Sequence, residues 1–213
     1  MADCCDPGGY DKVFGDRFAN RMARRYRRRG LSRTARHMVG YLVDQGIGGA
    51  TVLEIGGGVG EIQVELLRRG AATVTNLEIS TSYEDQAGEL LRESGMDGRV
   101  ERRFLDIAQA PDDIEAADIV VLHRVVCCYP DYEHLLEAAG SHARRLLVFS
   151  HPPPNVVVRT SFWIENFVRR LRGDSFRAFV HPPAAMVAVV NDTGLTTMYQ
   201  HRGLSWHVVG FAR

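Results

Sequence analysis

Apolar residues at Phe14, Phe18, Met22 and Tyr26 fall at every fourth position, and arginines fill the other faces. This spacing predicts an amphipathic helix ended by Gly30. Ser32 is placed to cap a second helix whose buried stripe includes Ala35, Met38, Val39 and Leu42, stopping near Gly46. The period then changes repeatedly. A short apolar run over residues 50–55 leads into a glycine loop over 56–60, and a helix over 61–69 follows with Ile62, Leu66 and Leu67 on one side. Further strands are expected over 73–79, 100–105, 118–122 and 146–150, with helices over 84–93 and from Asp131 through Leu135 and Leu136. Strands alternating with helices imply a parallel sheet covered on both faces.

Beyond Ser150 the alternation lapses. His151-Pro152-Pro153-Pro154 reads as a stiff turn, residues 162–171 as a helix, and Pro182-Pro183 as the opening of another helix through Met186 and Val190, ending near Gly194. Two last strands, over 195–201 and 204–211, are separated only by Arg202-Gly203, a connection that joins antiparallel neighbours. The expected fold class is therefore α/β: a doubly wound, mostly parallel seven-stranded sheet with one reversed strand near the C-terminus. Residues 1–9 are small, polar and Gly/Pro-bearing, and are expected to be loose.

Composition narrows the function classes. The 213 residues carry 26 Lys+Arg against 26 Asp+Glu, so the formal net charge is zero, and 45% of the chain is apolar. A chain of this size and balance forms one globular domain, and it lacks the basic excess of a general polyanion binder. No run approaches the length of a membrane span, and MADCCDPGG has neither the basic nor the apolar region of a secretory signal, so the expectation is a cytoplasmic protein with no membrane partner. The cysteines form two adjacent pairs, Cys4-Cys5 and Cys127-Cys128, a spacing that fits reduced thiols and calls for no metal. Neutrality conceals one asymmetry: residues 17–36 contain nine arginines and no acid. Read alone, that run is a solvated face, an RNA contact, a site for an anionic ligand, or part of a lid.

The most informative stretch runs from Val52 to Gly60, strand then turn then helix, with glycines at 56, 57, 58 and 60. Glycines there let the backbone turn sharply and let a ligand approach it closely. A dinucleotide fingerprint starting at Gly56 would need a third glycine where Glu61 stands, and a P-loop would need a lysine, whereas the only lysine is Lys12. An acid opening the helix would also repel a pyrophosphate.

Glu54, Gly56, Gly58 and Gly60 resemble, in type and spacing, the E-x-G-x-G-x-G loop of the class I S-adenosylmethionine-dependent methyltransferases, in particular the branch that acts on small molecules. The resemblance covers most of the chain. It implies a Rossmann-like domain over residues 1–213, with a helical lid at 10–45, a cofactor-binding core at 46–150, and substrate-side helices and a closing hairpin at 151–213. It implies S-adenosyl-L-methionine as methyl donor and S-adenosyl-L-homocysteine as product. Glu78, at the end of the next strand, would bind both ribose hydroxyls, with Ile79 beside it. Asp106 would accept from the adenine amino group, and Ile107 would add a backbone and an apolar contact. The backbone at Gly57 joins the glycine loop.

The fourth motif of such enzymes corresponds to residues 118–126, where His123 is the titratable group nearest the expected methyl. It would serve as a base toward a phenol, hydroxyl or ammonium acceptor, or would only position the donor. Arg124 and Tyr129 are the next candidates for the acceptor pocket, and Trp163 and Phe167 are expected in the core or as apolar lining. The rival readings are an RNA methyltransferase using the arginine helix and a non-catalytic S-adenosylmethionine-binding protein, with a nicotinamide dehydrogenase a weaker third. The neutral charge makes nucleic acid an unlikely partner and a small-molecule acceptor the expected one.

Overall fold

A computed structural model describes residues 7–213. The Cys4-Cys5 pair lies outside these residues. Seven strands form one sheet: β1 (Thr51–Ile55), β2 (Thr73–Glu78), β3 (Val100–Phe104), β4 (Ala117–Leu122), β5 (Ala143–His151), β6 (Thr196–Arg202) and β7 (His207–Ala212). Their order is β3-β2-β1-β4-β5-β7-β6. The first five pair in parallel, and β7 runs antiparallel to both β5 and β6, which makes it the reversed strand.

The central strands β1, β4 and β5 are largely buried on both faces, which is why they carry apolar runs, whereas β3, at the sheet edge, reads VERRF with no buried residue. Successive residues alternate between two cores. Val52, Ile119, Val121 and Val148 join one, while Leu53, Val120, Leu122 and Phe149 join the other. The first core is covered by α2 (Asp16–Arg29), α3 (Arg33–Asp44), α4 (Glu61–Arg68) and α5 (Glu84–Ser94). The second lies under α6 (Tyr132–Ser141) and α8 (Pro183–Asp192), through Leu135, Leu136, Met186 and Val190. Two predicted caps form: the side chains of Ser32 and Asp131 accept from the N–H groups of Ala35 and His134.

Several boundaries differ from the sequence reading. A first helix, α1 (Pro7–Val13), occupies part of the segment expected to be loose; it starts on proline, which suits a first helical position, and it buries Tyr10. The arginine helix starts at Asp16 after an interruption at Phe14-Gly15. The helix expected over 162–171 is longer, α7 (Val156–Leu171), because the Asn155 side chain caps it by accepting from the Val158 N–H. The proline turn begins one residue later than expected, since His151 is the last residue of β5, paired with His207. The β6–β7 connection spans residues 203–206, two more than Arg202-Gly203 implied. Trp163 and Phe167 are neither core nor lining: they stack on each other at 5.8 Å on the exposed face of α7. Among the described residues no helix is long and apolar enough to cross a membrane.

Candidate functional site

The sheet order reverses at β1, whose neighbours β2 and β4 carry their connections to opposite sides, and a crevice opens at the C-terminal ends of these strands. The loop after β1 fills its floor. Gly56 and Gly58 have φ values of 64° and 56°, a region that side-chain-bearing residues avoid. The Gly56 N–H still donates to the Leu77 carbonyl at 2.7 Å, so the turn is an extension of the β1–β2 ladder. Arg102, on β3, fixes the loop from the side: its guanidinium donates to the Gly58 carbonyl at 3.1 Å and pairs with Glu84 at 2.8 Å.

A cavity of about 160 Å³ lies above this loop. Its wall gathers Glu54, Gly56, Gly57, Gly58, Glu78, Ile79, His123 and Arg124 from the sequence-predicted set. Gly60, Asp106, Ile107 and Tyr129 stand outside that wall. Gly60 precedes α4. The Asp106 carboxylate accepts from the Tyr129 hydroxyl at 2.9 Å and from the Ala108 N–H at 3.1 Å, and Ile107 is buried in the second core.

Charge in the cavity is divided. Glu54, Glu61 and Glu78 are buried around the loop. Burial, then the neighbouring Glu61 charge, pushes the Glu54 carboxyl up to about 8. Burial also raises Glu61 and Glu78, the latter against hydrogen bonds from the N–H groups of Gly58 at 2.9 Å, Ile79 at 3.0 Å and Ser80 at 3.4 Å. One Glu54 oxygen and the whole Asn76 amide, its cross-strand partner, are buried without a hydrogen-bond partner beside the loop. Such orphaned groups mark a place where a ligand or water completes the bonding.

The opposite side is basic. Arg124 has a φ of 63°, the one non-glycine residue with positive φ among the described residues, and its guanidinium lies 5.0 Å above the Trp206 ring. His123 is held down to about 3, by burial and then by Arg124 and Arg25, so its ring is neutral across the physiological range. Ser150 is fully buried; its hydroxyl oxygen accepts from the Arg124 N–H and lies 3.0 Å from His123 Nδ1. Which of the two groups donates in this pair depends on the histidine tautomer.

The resemblance implies a helical lid over residues 10–45 without naming the residues that face the site. Tyr10, Phe14, Phe18 and Met22 line the cavity from above, with Tyr83 and Cys128 at the sides. Of the helical stripe Phe14, Phe18, Met22 and Tyr26, the first three line the cavity and Tyr26 does not. Two contacts tie α1 across the mouth: the Tyr10 hydroxyl donates to the Cys128 carbonyl at 2.8 Å, and the Ser80 hydroxyl donates to the Asp11 carboxylate.

Residues 52–147 match a protein family described as a methyltransferase domain. No curated protein matches the sequence. Among solved structures, the chain resembles magnesium protoporphyrin IX methyltransferase from Synechocystis PCC 6803 with bound SAH, at a TM-score of 0.70 and 20% identity, over 97% of this chain and 93% of that one. An O-methyltransferase family protein from Burkholderia thailandensis aligns with a TM-score of 0.69 and 19% identity, over 92% of this chain and 60% of that one. An O-methyltransferase family 2 protein from Planctomyces limnophilus DSM 3776, in complex with apigenin, aligns at 0.60 and 15% identity, over 86% and 62%. At these identities the likeness speaks to the fold.

Proposed function

We propose that this chain is a class I S-adenosylmethionine-dependent methyltransferase, a reading supported by its match to a methyltransferase domain over residues 52–147, and that the cavity binds this donor and passes its methyl group to a small, anionic, planar acceptor. S-adenosylmethionine supplies a methyl group on a positively charged sulfur, activated for in-line displacement. The observation that carries the reading is the charge on the cavity wall: the buried carboxylates Glu54, Glu61 and Glu78 gather at the glycine loop, and the Arg124 cation stands next to His123.

The donor fits the residues present. A cation relieves the mutual repulsion of Glu54, Glu61 and Glu78, which burial alone leaves reluctant to ionise. Glu78 accepts one N–H on one oxygen and two on the other, one of them long at 3.4 Å, so lone pairs remain for ribose hydroxyls. The unpartnered Glu54 oxygen and Asn76 amide offer further polar groups. Asp106, engaged by Tyr129 and Ala108, would meet adenine from just outside the wall, with Ile107 behind it.

On the acceptor side, Arg124 would pair with a negative charge while its stack on Trp206 holds the guanidinium in plane. His123 would hydrogen-bond to the acceptor and so orient it. Phe14 and Phe18 would exclude water above the reacting atoms. Residues 10–45 would then act as the lid, residues 46–150 as the donor-binding core and residues 151–213 as the substrate side of a single domain.

Isothermal titration with S-adenosylmethionine and its demethylated product tests the donor reading, with affinities expected around the micromolar range; absence of binding to both ends it. Methyl transfer to a panel of aromatic carboxylates and phenolates tests the acceptor reading. Arg124→Gln is expected to raise the acceptor KM about tenfold or more and to leave donor affinity unchanged. A second reading, RNA as acceptor, is favoured by one observation: all nine arginines between 17 and 36 are exposed, and among the described residues only Arg27 forms ion pairs, with Glu89 and Glu93. RNA binding that weakens steeply with salt would support it.

A further inference from the structure

Helix α7 is attached to the body of the protein by one narrow stripe. Phe162 packs into a small cluster with Tyr10, Phe176 and Ala178. Four residues on, Asn166 exchanges two hydrogen bonds with the backbone of Ala178, at 2.8 and 2.9 Å. Arg169 lies 5.0 Å over the Phe176 ring. Residues 162, 166 and 169 share one helical face.

The opposite face is apolar and open. At 100° per residue, Val156, Val157, Trp163, Ile164, Phe167 and Leu171 all lie on the side away from that stripe. Trp163 is 67% exposed and Leu171 74%. No buried residue occurs anywhere in this helix. The surface continues beyond it. The tip of the β6–β7 hairpin carries Leu204, 95% exposed, past the His151–His207 pair, at the same end of the sheet where the chain leaves β5 for α7. That end is also the one at which the cavity opens.

The borders of the apolar face decide its occupant. Arg159, Arg170 and Arg172 flank it, all exposed and in no ion pair among the described residues. The nearby acids, Glu165 and Asp174, are both engaged by Arg169 on the packed side. A second copy of the chain, packed here by twofold symmetry, would bring arginine borders together with no carboxylate between them. A bilayer with anionic headgroups meets both demands at once: it takes up Trp, Phe and Leu at the acyl boundary and pairs the flanking arginines. We infer that α7 and the hairpin tip form a peripheral docking surface for an anionic lipid bilayer, with the cavity end of the sheet turned toward the membrane. Such a contact lies on the membrane and needs no spanning segment.

Sedimentation of the full chain with phosphatidylcholine vesicles, with and without phosphatidylglycerol, tests this. Partition onto the anionic vesicles is expected to be about tenfold stronger or more. In a Trp206→Phe variant Trp163 is the sole remaining tryptophan, and its emission should shift to the blue on those vesicles. Replacing Trp163, Phe167 and Leu171 together by serine should lower partition about tenfold without lowering the melting temperature, since these side chains are exposed. Arg170→Gln with Arg172→Gln keeps the apolar face and should remove the preference for anionic lipid. No partition onto either vesicle, equal partition onto both, or unchanged partition of the serine variant would overturn the inference. So would a parent dimer in sedimentation equilibrium that the serine variant converts to monomer, because a second copy would then cover the face.

Discussion

The Tyr10 hydroxyl donates to the carbonyl of Cys128 at 2.8 Å, joining α1 to the loop after β4 across 118 residues of chain. The bond lies along the cavity wall, so α1 must shift to admit a ligand the size of the donor. Tyr10→Phe keeps the ring and deletes the bond, a change of about 1 kcal/mol in how firmly the roof is held. Donor dissociation in stopped flow is expected to quicken roughly fivefold. An unchanged rate would mean that α1 does not gate the cavity.

Glu54 carries a pH signature with a definite sign. Its carboxyl, ordinarily near 4.5, is pushed up to about 8 by burial, so between those values the folded chain holds a proton that the unfolded chain has released. Stability therefore falls as pH rises through this window. Burial raises Glu61 and Glu78 in the same direction. The melting temperature of the ligand-free protein is expected to decline from pH 5 to pH 8, with Glu54→Gln flattening the trend. A cationic donor favours the ionised carboxylate, so S-adenosylmethionine should bind more tightly at the upper end of this range, measurable by calorimetry.

His123 should not titrate in the working range. With the ring held down to about 3, the activity profile should show no limb from this residue between pH 6 and 8. His123→Asn retains a donor and is expected to keep kcat within about tenfold, whereas loss of a general base costs roughly a hundredfold or more. A larger loss in His123→Asn, together with a missing limb, would restore the histidine to the role of base.

Gly57 is closed by packing. A Cβ there would meet the Asn76 amide at 2.0 Å and the Glu54 carboxyl at 2.8 Å, both side chains buried. Gly57→Ala is expected to cost about 2–3 kcal/mol in chemical denaturation, at the upper end of overpacking effects. A stability equal to that of the parent would show that Asn76 can move aside.

The donor side of the site was legible because each of its residues sits where a hydrophobic period changes. Glu54 and Glu78 end strands, and the glycines mark a turn between strand and helix. The central strands β4 and β5 announced themselves as apolar runs, and the short final connection announced the reversed strand. A lid over residues 10–45 was expected, but its contacts were not legible, because Tyr10 meets Cys128 through a contact remote in sequence and Pro7 opens a helix in a segment of loop-like composition. The stripe over Phe14, Phe18 and Met22 showed that something covers that face without showing that the crevice lies under part of it. Trp163 and Phe167 teach the converse: an apolar stripe predicts that a surface wants cover, and α7 leaves it bare. His123 was recognisable as a site residue, but its electrostatic state comes first from burial, then from its neighbour Arg124 and from Arg25, and both the burial and the Arg25 charge arise only in the folded chain.

The reversed strand has a consequence for biosynthesis. β7 is the last strand of the sheet to be made, yet it pairs on both sides, with β5 and with β6. Until residues 207–212 leave the ribosome, one edge of β5 stays open and β6 has no partner, so the nascent chain carries an unsatisfied backbone edge from the completion of β5 until β7 emerges. Ribosome-arrested chains ending before His207 should be readily proteolysed, and the switch to resistance should come only after Ala212 has emerged.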